Sequence, residues 1–410
     1  MEALILSNAL DTNGQNARYA KAAEKHGADP AVLNALAIGK YDPAGVVGRF
    51  QVASEKYGTL NIRSVHRAQH IYQQMPADII WTRNNFAEIR ELATAADVIH
   101  YNNNYASAHR RVVPWGKPAL LHHHGSLFRN NPKDLLAKAR HLGAVQAVST
   151  VDLMHIAPHL LHWLPTAYDV DSLVEFGAKH RRKPDGRIRV VSCPTNRVYK
   201  STAALEAAVA KLQADGLPVD LVIVEGKPWA EAMAIKATAD IYFDQVILGY
   251  GCNAVEAWGM GIPVIAGADE WTLAKMTELW GRLPFYTATE ATIGDAIATL
   301  AGSKAKRTGY AKAGMAHVRR HHDELPALAR LAELYSMAIH RRQEATVQPE
   351  YPTVTFRAKV PQLRAAGKYV TFVNGEHTTT NPYIATALRA LSLRYPKYGI
   401  TEVVSEEDAA

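Results

Sequence analysis

The sequence predicts an α/β protein made of two doubly wound domains. Three observations carry this expectation. Short apolar runs alternate with helix-forming stretches, the pattern of a parallel sheet covered on both faces. The alternation starts afresh after Lys179-His-Arg-Arg-Lys-Pro-Asp-Gly186, which reads as a polar basic linker between the halves. The chain has 410 residues, too many for one small domain at about 100–200 residues each.

In the first half, residues 2–7 form an apolar run, Asn8–Gly14 a turn-rich loop, and Gln15–His26 a helix stopped by Gly27. Ala96–His100, Pro118–His122 and Ala144–Ser149 read as buried strands, and Asp152–His159 as the start of a helix. The second half begins with the strand Arg187–Ser192, a loop to Lys200 and a helix over 202–215. Asp220–Val224, Ala239–Phe243 and Pro263–Ala266 are further strands, with a glycine-rich loop and the helix Asn253–Met260 before the last. Two such domains make a cleft walled by the loops beyond the carboxyl ends of their strands.

Asp323–Arg342 reads as a long helix with Leu325, Leu328, Leu331, Leu334 and Met337 on one face, ended by Pro349 and Pro352. A small unit follows. Thr353–Phe356 and Tyr369–Val373 read as strands, and Asn374-Gly375 as a tight hairpin turn. A helix over Pro382–Leu393 is capped by Thr380. The expected domains are 1–165, 166–322, a helix 323–345 packing back on the core, and a basic appendix 350–403.

Composition removes several classes. Apolar residues are 48% and charged residues 21%, which fits a globular chain and neither disorder nor a coiled coil. Two cysteines, Cys193 and Cys252, exclude a disulfide scaffold and a four-cysteine zinc module. No apolar run approaches the ~18 residues needed to span a bilayer. The N-terminus has no basic region ahead of its apolar run, so a soluble, cytoplasmic protein is expected. The net charge of +7 is concentrated in residues 341–400, with nine Lys/Arg against three acids. A solvated accessory region and a contact surface for an anionic polymer both fit that excess.

The richest stretch is Asp244-Gln245-Val-Ile-Leu-Gly249-Tyr250-Gly251-Cys-Asn253-Ala-Val-Glu256-Ala-Trp-Gly-Met-Gly261-Ile-Pro263-Val264. Gly249 and Gly251 let the backbone come close to a ligand, and the amides of the helix that follows suit a diphosphate. Glu256, one turn in, can accept hydrogen bonds from a ribose diol, or serve as a helix-dipole acid beside a flexible loop. The loop Cys193-Pro-Thr-Asn196-Arg197-Val-Tyr-Lys200 sits between a strand and a helix. Its two cations can grip a diphosphate and neutralise it as it leaves, or stand as solvated surface charges. His122-His123-His124-Gly125 follows a strand. Neighbours on a strand point to opposite faces, so the three rings cannot share one metal ion.

These motifs resemble GT-B glycosyltransferases, specifically the large retaining group called family four. Glu256-Ala257-Trp258-Gly259-Met260-Gly261-Ile262-Pro263-Val264 is similar to that family's Glu-Ala-Met-Ala-x-Gly-x-Pro-Val. The family's first glutamate falls on Leu248; Asp244-Gln245 with Gly249-x-Gly251 resembles a variant subgroup. The resemblance implies two Rossmann-like domains facing across a cleft. It implies His124, Arg197 and Lys200 at the reaction centre. Donor contacts would come from Gly14, Gly125, Asn196, Arg197, Lys200, Gly249, Tyr250, Gly251, Asn253 and Glu256. Trp163-Leu164-Pro165 is similar to the family's interdomain junction, and Tyr101–Asn104 offers amides to an acceptor or simply forms turns.

The implied donor is a nucleoside-diphosphate sugar, a UDP-sugar first, used with retention and without a metal or other cofactor. The resemblance covers about residues 1–340 and not the appendix. That unit resembles small hairpin-plus-helix modules on proteins of tailed phages of actinobacteria. Its cations interleaved with aromatics imply DNA as partner, with a hydroxymethylated base as acceptor, flipped out if in duplex. A cell-surface glycan, a teichoic-acid-like polymer or a small-molecule acceptor is the alternative, as is a degenerate GT-B protein with a binding role only. A Rossmann dehydrogenase is disfavoured, since no Gly-x-Gly-x-x-Gly follows the first strand.

Overall fold

The computed structural model describes residues 34–39, 47–57, 60–66, 79–80, 85–103, 105, 107–346, 354–365, 368–379 and 382–403. The expected first strand, loop and helix, with Gly14, lie outside these residues, as do Asn104, Pro349, Pro352 and Thr380. The chain divides into two compact units, Met1–Arg342 and Gln343–Ala410.

The first unit holds two parallel sheets. Sheet one comprises β1 (Asn34–Gly39), β2 (Asn61–His66), β3 (Ile79–Ile80), β4 (Val98–Asn102), β5 (Ala119–His123), β6 (Val145–Val148) and β7 (Leu161–Trp163). Its order is β3-β2-β1-β4-β5-β6-β7, parallel throughout. Strands β4, β5 and β6 are buried at every residue, which is why their sequences show apolar runs and not alternation. Its helices are α1 (Val47–Tyr57), α2 (Phe86–Ala95), α3 (Gly125–Asn130) and α4 (Pro132–Leu142).

Sheet two comprises β8 (Ile188–Ser192), β9 (Val219–Ile223), β10 (Ile241–Gln245), β11 (Leu248–Gly249), β12 (Val264–Ala268) and β13 (Tyr286–Thr287). Its order is β11-β12-β10-β8-β9, with β13 on β12; only β11 runs antiparallel. Its helices are α5 (Val170–His180), α6 (Thr202–Ala214), α7 (Trp229–Lys236), α8 (Cys252–Gly259), α9 (Glu270–Trp280), α10 (Ile293–Ala301) and α11 (Lys304–His317). Every strand and helix read from residue 187 to 268 is present within two residues of its expected bounds. Asp152–His159 instead forms a short 3₁₀ segment, Val151–Ile156, that buries Leu153 and Met154. Pro158, which lacks an N–H, stands where a longer helix would continue.

The chain crosses between sheets twice. The outward crossing follows β7, since α5 already packs on α8: a methyl on Gly177 would meet Met260 Cα at 2.8 Å. The basic segment 179–186 is therefore not the interdomain linker. Arg181 donates to the Met260 carbonyl (2.7 Å) and Arg182 pairs with Asp240 (2.6 Å), both within the second half. The return follows α11, through a π-helical turn Val318–His322 into α12 (Glu324–Thr346). The two crossings bind each other: Tyr168 N–H donates to the His322 carbonyl (2.7 Å), and Tyr168 bridges to Asp323. Helix α12 lays Leu328, Leu331, Leu334 and Tyr335 against Leu120, Val145 and Ala147 of sheet one, using the apolar face its spacing predicts.

Small residues set the packing around α8. Trp258 is fully buried; methyls on Gly314 and Gly259 would meet Trp258 Cδ1 at 1.9 Å and Leu173 Cδ1 at 2.5 Å. The large ring at 258 therefore requires glycine at 314, and the close approach of Leu173 requires it at 259. Gly314→Ala is expected to cost at least about 1–3 kcal/mol by overpacking, read as a lower urea midpoint at unchanged slope. An unchanged midpoint would show that Trp258 repacks freely.

The second unit contains β14 (Val354–Arg357), β15 (Gln362–Ala365), β16 (Lys368–Thr371), β17 (Glu376–Thr379), α13 (Pro382–Arg394) and β18 (Thr401–Val403). Strands β17, β14 and β18 form an antiparallel sheet, and β15 pairs with β16. Asn374 and Gly375, with φ of 52° and 81°, make the expected two-residue turn, closed by reciprocal Val373–Glu376 hydrogen bonds of 2.8 and 3.0 Å. Phe356, Val370, Phe372 and Leu388 form its core. Two of its cations are paired: Arg357 with Glu376 (2.7 Å) and Arg389 with Glu402 (2.5 Å).

Candidate functional site

Asp244 organises the carboxyl-end loops of sheet two. The β10–β12 register shifts between Phe243 and Gln245, and such a bulge re-aims the residue within it. Asp244 is buried, its Oδ1 bound to Lys200 Nζ and its Oδ2 accepting the Gly251 N–H at 2.7 Å. One carboxylate thus fixes both a cation from the β8–α6 loop and the glycine that precedes α8. Lys200 is 9% exposed. An ammonium has three N–H groups, and among the described residues only one has a partner. The other two are available to an anion.

The loop carrying Lys200 is held by Asn196. Its side-chain oxygen accepts the N–H groups of Val198 (3.0 Å) and Tyr199 (3.2 Å), while Lys200 N–H donates to the Asn196 carbonyl (3.1 Å). Ser201 takes a left-handed φ of 48° before α6 begins. Asn196 therefore shapes the loop, and Arg197 points elsewhere than Lys200. Its guanidinium binds Glu206 (2.5 Å) and Glu225 (2.7 Å) on an exposed face.

Glu256, 5% exposed, belongs to a second network on α8. Lys236 Nζ bonds Glu256 Oε2 and donates to Asn253 Oδ1 (2.8 Å); Asn253 Nδ2 donates to the Cys193 carbonyl (3.1 Å). Glu256 Oε1 has only long contacts, Trp229 Nε1 at 3.4 Å and Arg49 Nη2 at 4.0 Å. That oxygen is the one left to a hydroxyl. Arg49 comes from α1 in the first half and stacks over Tyr168, its Cζ 4.0 Å from the ring centre. Sequence reasoning did not single out Lys236, Asp244 as an anchor, or Arg49. Asp244 had a signal in the Asp-Gln…Gly-x-Gly stretch, whereas Lys236 and Arg49 are lone cations on ordinary helices.

Tyr250 and Gly249 serve the loop's far side. Gly249 has φ +84°, and a methyl there would meet Met276 Cε at 2.3 Å, so it answers packing as well as backbone conformation. Tyr250 is 6% exposed, its hydroxyl bonded to His317 Nε2 (2.8 Å) and His322 Nε2 (2.9 Å). His322 Nδ1 faces the Thr166 carbonyl at 2.9 Å, which can only accept. Burial keeps this ring neutral, its pKa pushed down to about 4. The proton order follows: His322 Nδ1–H donates to Thr166, Tyr250 O–H donates to His322 Nε2, and His317 Nε2–H donates to Tyr250. Tyr250 thus ties the glycine-rich loop to the return crossing and, through His322, to Thr166 on the outward one.

In sheet one, the alternation expected for the three histidines is present. His123 lies on Phe128 (3.9 Å, 12°) with Nε2 at 3.1 Å from Gln146 Oε1, while the His122 and His124 rings are 4.1 Å apart. His124 Nε2 bonds Asn102 Oδ1, and its backbone N–H donates to Asn103 Oδ1 (3.1 Å), Asn103 being left-handed at φ 66°. The Tyr101–Asn103 segment therefore braces His124. Burial lowers the His124 pKa to about 3, leaving a neutral ring. Gly125, at φ +43°, opens α3 behind it. No group of three His, Cys, Asp or Glu among the described residues is placed to hold a metal ion.

The structure therefore brings together Lys200, Gly251, Asn253 and Glu256 through Asp244, Lys236 and Cys193, and holds His124 at the carboxyl end of β5. Comparison with known proteins places this arrangement in a fold class. The chain resembles Anabaena HepE in complex with UDP and glucose, at 14% identity and TM-score 0.52, over 74% of this chain and 99% of that one. It resembles a glycosyltransferase from Rickettsia africae (12%, TM-score 0.52, 75% and 98%) and sucrose-phosphate synthase from Thermosynechococcus elongatus (14%, TM-score 0.51, 76% and 100%). The fold is GT-B, as the motifs imply.

No family model matches the chain. A curated sequence, D-erythritol 1-phosphate dehydrogenase of Brucella abortus, is 34% identical over 80 residues. That match spans 20% of this chain and 14% of that protein.

Proposed function

We propose that the protein is a glycosyltransferase that uses a nucleoside-diphosphate sugar, a UDP-sugar first. The observation that carries this reading is the pair of coupled networks in a GT-B fold. Lys200 stands beside the Gly251 backbone with two N–H groups open, and Glu256 presents one carboxylate oxygen on the helix that follows. Lys200 would bind the diphosphate and neutralise its charge as it departs; Glu256 Oε1 would accept the ribose hydroxyls. The comparison structure of Anabaena HepE holds UDP and glucose, which supports the donor class. Arg197 joins only if a diphosphate outcompetes Glu206 and Glu225. His124, neutral and braced, would contact the transferred sugar or the acceptor.

Domains 1–165 and 166–322 then take acceptor and donor. Retention without a metal rests on the motif resemblance, as does the phage association. A hydroxymethylated DNA base as acceptor rests on the basic appendix, of which Tyr369 is 73% exposed. The test measures release of the nucleoside diphosphate from UDP-, GDP-, ADP- and dTDP-sugars. Lys200→Gln should lower turnover by about 100-fold, the scale of a lost charge-stabilising donor. Neither binding nor hydrolysis of any of the four would refute the reading. Mass spectrometry of nucleosides from treated hydroxymethylated DNA tests the acceptor.

A further inference from the structure

A cavity of about 440 Å³ opens at the amino ends of β5 and β6 in sheet one, where the chain enters these strands. It is within the size range of small-molecule sites. Its walls carry four permanent cations, Arg110, Lys117, Arg140 and Arg342, and no Asp or Glu. Several arginines elsewhere in the molecule are neutralised by carboxylates. Arg129 pairs with Asp152, Arg182 with Asp240, Arg187 with Asp220, Arg197 with two glutamates, and Arg330 with Glu333. Among the described residues none of the four cavity cations meets a carboxylate. The partners of Arg110 are the Tyr105 hydroxyl at 3.2 Å and His141 Nε2 at 3.5 Å. Lys117 donates to the carbonyls of Thr94 (2.5 Å) and Ala96 (2.6 Å), which fixes its place and leaves its charge uncompensated. Arg342 Nε is buried without a partner among the described residues.

Four like charges gathered without a counter-charge repel one another, and a bound anion removes that cost. Planar guanidinium groups favour phosphate geometry. The cavity also offers a flat apolar surface. Trp115 is 67% exposed at its rim, its ring 4.9 Å from that of His141, over a floor of Tyr101 and Tyr105. An exposed tryptophan beside arginines suits a ring that bears a phosphate.

We propose that this cavity is a second ligand site, separate from the donor site, that binds a small phosphomonoester carried on a ring. A nucleoside monophosphate and a sugar monophosphate share that chemistry. The cations hold the phosphate and Trp115 covers the ring.

The test is calorimetric titration of the full chain with inorganic phosphate, glucose 1-phosphate and AMP. At least one ring-bearing phosphate should bind more tightly than inorganic phosphate. Which of the two does so identifies the source. The exposed Arg140→Gln, alone and with Arg110→Gln, should weaken that binding by about 10-fold. Trp115→Ala should weaken the ring-bearing ligand and leave inorganic phosphate unchanged. Lys200→Gln should leave all of these affinities unchanged. Absence of binding by all three probes overturns the proposal. So does binding indifferent to Arg140→Gln and Arg110→Gln, or lost in Lys200→Gln, which would assign the ligand to the donor site.

Discussion

Acidification from neutral pH destabilises this protein steeply, starting near pH 6.5 and well before its carboxylates titrate. Eight histidines have pKa values lowered by burial: His100, His122, His123, His124, His162, His317, His321 and His322. His100, His124 and His321 fall to about 3, and His123 and His322 to about 4. The folded state keeps these rings neutral, whereas an unfolded chain protonates them below about pH 6.5. Stability held above that pH is therefore lost as pH falls from about 6.5 toward the folded values of 3–4.

Each responding ring costs about 1.4 kcal/mol per pH unit. Four of them over one unit remove about 5 kcal/mol, comparable with the whole stability of a marginal domain. The network at the crossings is especially exposed to this loss. A protonated His322 donates from both nitrogens, so it can no longer accept from Tyr250. Groups facing it are Tyr250, His317, Trp163, Tyr168 and the Thr166 carbonyl, and none is an acid. Urea midpoints at pH ~7.5, ~6.5 and ~5.5 check the slope, which reports protons taken up on unfolding. A stability that stays flat to pH ~4.5 would show that these rings charge freely in the folded state.

The second large effect is expected from Lys236→Met. Lys236 is 2% exposed and bonds both Glu256 and Asn253. Methionine fills most of the aliphatic volume and removes the cation, leaving a buried carboxylate with long contacts only. Breaking one side of such a pair costs about 3–5 kcal/mol. Under the proposed function, donor affinity also falls, because Glu256 loses the Lys236 ammonium that links it to Asn253. Adding Glu256→Gln to Lys236→Met removes the stranded charge, and should recover much of the stability without restoring donor binding. A double-mutant cycle with no coupling in stability would show that the two residues act independently. Equal donor affinity in wild type and Lys236→Met would separate the pair from the site.

Much of the fold was legible because its strands are buried on both faces and its loops carry glycine and proline. Arg187–Ser192, Ala239–Phe243 and Pro263–Ala266 each lie between turn residues, so length and composition identify them. Strands β1 and β2 escaped for the opposite reason. Asn34-Ala-Leu-Ala-Ile-Gly39 is weak in β-branched residues, and Asn61-Ile-Arg-Ser-Val-His66 is interrupted by Arg63 and Ser64. The interdomain crossing was legible at Trp163-Leu164-Pro165 and misread at 179–186, because composition cannot show that Arg181 and Arg182 pack on their own domain.

Of the proposed site, sequence pattern alone singled out the Lys200 loop, the glycine pair, Glu256 and His124, since each lies at the junction of a strand end and a helix start. Spacing along a chain also determines which face a residue occupies, so the divergence of His123 from His122 and His124 followed from strand geometry. What residue order could not contain is the pairing of charges between elements. Lys200 to Asp244 spans 44 positions, and Lys236 to Glu256 spans 20. Arg197 turns to Glu206 and Glu225 because those carboxylates are within reach only after β8, β9 and α6 have packed. The same holds for Tyr250, whose hydroxyl finds His317 and His322 at 67 and 72 residues' distance. Local propensity and period are properties of a segment; an ion pair or a buried hydrogen bond is a property of two segments, and only the tertiary fold brings them together.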